Sequence, residues 1–186
     1  NHNILMLVPF YKANEACEAV SAIFRAGIIP SAMEFMEREA IDWTLRFVDG
    51  ISVDVKLEHQ AHLLIEVDGN YPEILMLEAE KIMIVVEQFD IDEVLFADTE
   101  DQKAALWKIR RSVAEAVKSN SIYKEEDTVV PRYMLPELLS GIKKIGENYG
   151  FKSVCYGHAG DGNLHVNIIK GDMADDNWET QVPLGI

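Results

Sequence analysis

The chain has 186 residues, 48% hydrophobic and 26% charged, a globular mixture that excludes a disordered or collagen-like polymer. Its formal net charge is −15, and residues 34–102 alone hold 19 acidic against 4 basic side chains, which argues against nucleic acid or anionic lipid as a partner. Only residues 103–171 carry a basic surplus, 11 bases against 7 acids, so an anionic substrate would be steered there.

No apolar run is both long and uncharged enough to span a bilayer. The opening Asn1-His2-Asn3-Ile4-Leu5 has no basic stretch leading into an apolar segment, which predicts no secretory leader. Starting without Met and entering a strand pattern at once, the sequence reads as a piece of a longer chain. Cys17 and Cys155 lie far apart and read as buried free thiols of a reducing cytoplasm.

In chain order, residues 4–10 read as a buried strand, and Ala16, Val20, Ile23 and Phe24 recur at helical spacing up to a stop at Gly27. Residues 32–37 alternate as a second strand. Ile41, Leu45 and Val48 fit a helix, while Asp49-Gly50 would equally turn a hairpin. Residues 63–68 form a strand closed by Gly69. Pro72 opens a long helix through Leu75, Ala79, Ile82, Val86 and Phe89, and residues 94–97 form a short strand. This order predicts a ferredoxin-like βαββαβ core over residues 1–100, an α+β class with helices on one face of an antiparallel sheet.

Thr99 and Gln102 form a capping-box pattern for a helix with Leu106, Ile109, Val113 and Ala116 on its core stripe. Lys124-Glu125-Glu126-Asp127 reads as a polar loop, Val129-Val130-Pro131 as extended, and a helix runs from near Pro136 to Gly150. Two strands, 153–157 and 164–169, flank a glycine-rich segment. Residues 101–186 thus read as further helices and a strand pair within the same domain.

Chemistry concentrates in Tyr156-Gly157-His158-Ala159-Gly160-Asp161-Gly162-Asn163-Leu164-His165-Val166-Asn167. The glycines let the run fold back, bringing His158 and His165 together, and paired imidazoles suit a divalent ion such as zinc with a third ligand from elsewhere. A plain turn between strands explains the glycines as well, so spacing leaves both readings open. On the helix, Trp107, Arg110 and Ala114 share a face while Arg111 points about 100° away. An arginine shielded by tryptophan presents its fork to a carboxylate, though a stem covering apolar surface needs no such role. Lys124 follows on the next loop. His2, His59 and His62 have no matching cluster in the sequence and receive no role.

Together, A-M-E-F-M-E at 32–37, L-L-I-E-V-D-G at 63–69, L-W-K-I-R at 106–110, D-T-V-V-P-R at 127–132 and H-A-G-D-G-N-L-H-V-N at 158–167 make the chain resemble the C-terminal (cap) domain of the FAD-linked oxidases. That group includes the glycolate oxidase D subunit, D-lactate dehydrogenases and D-2-hydroxyglutarate dehydrogenase. The resemblance implies an FAD-dependent enzyme oxidising a D-2-hydroxy acid by hydride transfer to flavin. It implies His158 and His165 as ligands of a zinc-type ion, His165 also as a catalytic residue, and Arg110 on the substrate carboxylate. Asn167 and Lys124 become substrate contacts, although two residues rather than the usual one separate Lys124 from Asp127, and Asn163 becomes a neighbour of the flavin. Ala114 stands where some members place a hydroxyl. The flavin domain would lie upstream and an E-H-G motif downstream, so these residues alone would be inactive. The resemblance further implies a cytoplasmic enzyme, peripheral at the inner membrane face through a partner, and leaves a quinone, an iron–sulfur partner or oxygen as the electron acceptor. A zinc hydrolase and a non-catalytic ferredoxin-like ligand-binding module are the rival readings.

Overall fold

The computed structural model describes residues 2–51, 53 and 55–186. Its first half alternates strands and helices: β1 (His2–Phe10), α1 (Ala13–Arg25), β2 (Ala32–Glu37), α2 (Arg38–Phe47), β3 (Ala61–Gly69), α3 (Pro72–Val86) and β4 (Leu95–Phe96). Then come α4 (Glu100–Asn120), β5 (Tyr123–Val129), α5 (Leu135–Tyr149), β6 (Lys152–Gly157), β7 (Asn163–Ile169) and α6 (Asp175–Gly185). The seven strands form one antiparallel sheet in the order β4-β1-β3-β2-β6-β7-β5. Its first four strands have the ferredoxin-like order, and β6, β7 and β5 continue the sheet beyond β2.

The sheet is covered on both faces, not on one as the βαββαβ pattern predicts. Met6, Val8, Phe10, Phe35, Leu63, Ile65 and Cys155 pack with α1, α3, α5 and α6. Leu5, Leu7, Met36, Leu64, Val154 and Tyr156 point the other way, against Ala40 and Ile41 of α2 and Leu106, Ile109 and Val113 of α4. Strands buried on both faces lose the polar alternation of a half-exposed sheet. The two cysteines are buried and free, and burial pushes the Cys17 thiol far above its ordinary range.

Local chemistry fixes the helix ends. Gly27, with φ 79°, follows α1 in the left-handed conformation that favours glycine. Thr99 Oγ1 accepts from Gln102 N while the Gln102 side chain accepts from Thr99 N, so both arms of the capping box are present on α4. Arg38–Phe47 is helical, and Gly50 at φ 78° ends that excursion rather than turning a hairpin.

Residues 124–127 are not a loop. They lie in β5, an edge strand paired with β7 from Tyr123↔Ile169 to Val129↔Asn163. A run of Lys, Glu, Glu and Asp has no apolar alternation, but charge is what an exposed sheet edge tolerates. The helix α6, with Trp178 and Val182 buried, has no counterpart among the predicted elements. Among the described residues no helix is long and apolar enough to cross a membrane.

Candidate functional site

The glycine-rich run folds as the sequence requires. After Gly157 the chain makes a 3-10 turn over Ala159–Asp161, and His158 O accepts from Asp161 N at 2.9 Å and Asn163 N at 3.2 Å. Gly162 takes φ 76°, and a Cβ there would come within 2.0 Å of Val130 O. A Cβ on Gly157 would come within 2.5 Å of Asn163 O. The backbone thus approaches itself too closely for any side chain at either place. Arg132 steadies the turn from outside, donating from Nε to Gly160 O, with its guanidinium 4.0 Å from the Phe24 ring centre.

This fold-back brings His158 and His165 together, with ring centres 6.2 Å apart and planes at 74°. Each has a carboxylate behind its Nδ1. His158 Nδ1 lies 2.9 Å from Glu34 Oε1, and His165 Nδ1 lies 3.5 Å from Asp127 Oδ1 and 3.7 Å from Glu125 Oε1. At hydrogen-bonding distance, the Glu34 carboxylate turns the opposite nitrogen of His158, Nε2, toward a metal or substrate, while His165 Nδ1 has carboxylates nearby but no hydrogen bond. Among the described residues, however, no three His, Cys, Asp or Glu side chains form a group that could hold a metal. The two imidazoles could therefore supply at most two donors to a divalent ion and not a closed shell.

Arg110 reaches the same place from α4. It is buried, its Nε donates to Glu34 Oε2 at 2.8 Å, and its Cζ lies 5.5 Å from the Tyr156 ring centre. Tyr156, not Trp107, shields it. Trp107 is instead covered by Arg111, the residue one turn on, at 5.4 Å. Tyr156 also lies against His165, ring centres 5.2 Å apart. Burial, reinforced by Glu125, raises the Tyr156 phenol above its ordinary pKa against a hydrogen bond with Asn167, so it keeps its proton.

Asn167 is fully buried two residues beyond His165 on the same face, and Asn163, two residues before, donates to Asp127 Oδ1 at 2.6 Å. Lys124 is not brought to this group. In β5 it pairs with Ile168 and points to the opposite face of the sheet, 5.8 Å from the Trp178 ring centre, while Glu125 and Asp127 face His165.

Seven buried side-chain polar atoms among the described residues lack a hydrogen-bond partner, and four belong to this group: Arg110 Nη2, Asn163 Oδ1, His165 Nδ1 and Asn167 Oδ1. Nη2 lies 2.8 Å from Glu34 Oε2 but out of hydrogen-bonding line. Arg110 and His165 have carboxylates beside them, whereas Asn163 Oδ1 and Asn167 Oδ1 are buried acceptors without a donor, each costing about 1–3 kcal/mol unless a polar ligand completes it. A cavity of about 310 Å³ is lined in part by Glu34, Arg132, His158 and Asp161, but not by Arg110, Asn163, His165 or Asn167.

Sequence reasoning missed Glu34. Its signal was an acid at the centre of A-M-E-F-M-E, on a strand with neighbours on both sides. It also left His59 and His62 without a cluster. They lie together with ring centres 5.5 Å apart, His59 Nε2 2.9 Å from Asp92 Oδ2, beside a second cavity of about 260 Å³.

The family described as FAD linked oxidases, C-terminal domain, matches residues 1–184. Among curated proteins, a D-lactate dehydrogenase of Anaerostipes hadrus is 32% identical over 183 residues, covering 96% of this chain and 38% of its own length. The glycolate oxidase subunit GlcD of Bacillus subtilis (strain 168) is 33% identical over 177 residues, covering 94% and 36%. The chain thus spans little more than a third of those relatives. Among solved structures, an alkyldihydroxyacetonephosphate synthase superposes with TM-score 0.67 at 10% identity, over 100% of this chain and 38% of that one. p-Cresol methylhydroxylase with substrate bound gives 0.59 at 12%, over 90% and 38%. At such identities these two establish the fold alone.

Proposed function

Because the chain belongs to the C-terminal domain family of the FAD linked oxidases, whose relatives here act on hydroxy acids, we propose that it forms the substrate-binding cap of an FAD-dependent D-2-hydroxy-acid dehydrogenase of glycolate or D-lactate type. The observation that carries this reading is the clustering of unpartnered polar atoms. The Arg110 guanidinium, held on its side by Glu34, has its tip left for a carboxylate, while Asn167 Oδ1 is an acceptor suited to a hydroxyl.

In this mechanism Arg110 binds the substrate carboxylate, held rigid by Glu34 and the Tyr156 ring. Asn167 orients the 2-hydroxyl, and His165, whose Nδ1 faces Glu125 and Asp127, meets it from the Nε2 side. Asn163 borders the flavin. Packed around the substrate, α4 and the sheet exclude water, which would compete for every charge-assisted hydrogen bond. FAD, when bound by the rest of the protein, supplies the hydride acceptor, and a divalent ion on His158 and His165 would polarise the hydroxyl. The charge balance favours such an ion: Glu34, Glu125 and Asp127 outnumber the one guanidinium of Arg110 beside the histidines. The setting is cytoplasmic, with electrons leaving the flavin to an iron–sulfur partner at the inner membrane face.

Anaerobic mixing of the complete flavoprotein with glycolate or D-lactate tests the reading. Bleaching of the oxidised flavin band by a 2-hydroxy acid, with the 2-keto acid as product, is expected. No reduction by any 2-hydroxy acid overturns it.

A further inference from the structure

We infer that Glu34 is the positioning residue of the site, a single carboxylate that orients Arg110 and selects the tautomer of His158. Resting on the functional reading above, this adds a residue that the sequence did not single out. Glu34 sits in β2 with a side chain 8% exposed, and its two oxygens divide the work. Oε2 accepts from Arg110 Nε at 2.8 Å, and Oε1 lies 2.9 Å from His158 Nδ1.

Holding the guanidinium by Nε has a geometric consequence. An arginine fork offers one pair of donors along its Nε side and another at its tip. Glu34 Oε2 lies 2.8 Å from both Nε and Nη2, so it takes the side pair and leaves the tip, Nη1 with the outer proton of Nη2, for a second carboxylate. The consequence at His158 is chemical. An ionised carboxylate only accepts, so Nδ1 must carry the proton and Nε2 must carry the lone pair. Only in that tautomer can His158 act as a metal ligand through Nε2. Substrate anchoring and ligand orientation thus depend on one side chain.

Glu34→Gln keeps the size but not the symmetry of the group. If its oxygen accepts from Arg110, its NH2 faces His158 Nδ1 and forces the proton to Nε2. In the complete flavoprotein, we expect Glu34→Gln to lower zinc affinity at least tenfold in equilibrium dialysis. KM for the 2-hydroxy acid should rise more than kcat falls, and Glu34→Asp should recover part of the zinc affinity. In the chelated protein, ¹⁵N imidazole shifts should report Nδ1–H on His158 in the wild type and Nε2–H in Glu34→Gln. A folded Glu34→Gln protein with wild-type zinc affinity and an unchanged tautomer overturns the inference. Should that variant not fold, the wild type decides alone, because Nε2–H on its His158 overturns the inference by itself. A wild type that shows the expected tautomer yet is not reduced by any 2-hydroxy acid overturns the functional reading instead.

Discussion

His62 and His165 stand on one transverse row of the sheet, three strands apart and facing the same side. His62 pairs with Met36, Met36 with Tyr156, and Tyr156 with His165. The two imidazoles differ in what surrounds them. His165 is a quarter exposed beside Glu125 and Asp127. His62 is 1% exposed, and its Nδ1 has no partner. Burial, with smaller contributions from His59 and Arg38, lowers its pKa from 6.5 to about 3.

That shift makes His62 an acid liability. Below pH 6.5 the unfolded chain takes up a proton that the folded chain refuses until pH approaches 3, so stability is lost as pH falls through that window. At pH 4.5 the loss due to this residue is about 2–3 kcal/mol. His62→Leu should therefore lose less stability than the wild type between pH 7 and pH 4.5 in urea unfolding. Parallel losses in the two proteins would show that His62 is not held neutral.

The second prediction separates neighbouring arginines. Arg110→Lys removes both the Nε contact to Glu34 and the paired donors for substrate, and should reduce kcat/KM by about 1.5–3 kcal/mol. Arg111→Lys alters only an exposed charge stacked on Trp107 and should leave kcat/KM within about 0.5 kcal/mol of wild type. Steady-state kinetics on one 2-hydroxy acid checks both. Equal effects would remove Arg110 as the carboxylate anchor.

On the opposite face, Lys143 donates to Glu37 Oε2 at 2.8 Å and to Ser153 O at 2.8 Å, and Glu37 Oε2 also accepts from Cys155 N at 2.6 Å. Burial raises the Glu37 pKa, and Lys143 opposes that rise. Lys143→Met leaves the carboxylate uncompensated and should cost about 2–4 kcal/mol at pH 8, reduced for the partly solvated ammonium. A carboxyl with a raised folded pKa loses stability as pH rises, so the cost should shrink at pH 5, where Glu37 can hold a proton. Thermal unfolding at the two pH values measures the difference, and a cost independent of pH would contradict the assignment.

What the sequence made legible follows from which forces act locally. The order β1 to β4 came from apolar runs, and the cap of α4 from Thr99 and Gln102, because both depend on near neighbours. The fold-back of His158 onto His165 was legible for the same reason, since the glycines act within ten residues. β5 was not legible, because its strand state is imposed by pairing with β7 across 36 positions between Asp127 Oδ1 and Asn163 Nδ2. Glu34 was hidden because alternation in residues 32–37 does not say whether the second face meets water or another layer, and here α4 covers it. The same distance in sequence explains Arg110: its shield, Tyr156, lies far down the chain, whereas Trp107 was merely close.

The last prediction compares two glycines with nearly the same backbone. Gly27 has φ 79° and Gly162 has φ 76°, so an alanine pays a similar conformational penalty at each, about 1 kcal/mol. Their surroundings differ completely. Nothing lies within 4 Å of a Cβ on Gly27, whereas a Cβ on Gly162 would overlap Val130 O at 2.0 Å. That oxygen belongs to the residue whose own N donates to Gly162 O at 3.0 Å, so relief of the overlap must open the link between the glycine-rich turn and the end of β5. Gly162→Ala should thus cost at least about 2 kcal/mol more than Gly27→Ala in urea unfolding. It should also displace His165 from His158, lowering zinc affinity in the complete flavoprotein, while Gly27→Ala leaves that affinity unchanged. Equal stability losses for the two alanines, or unaltered zinc binding in Gly162→Ala, would mean that the turn can relax without moving the histidines.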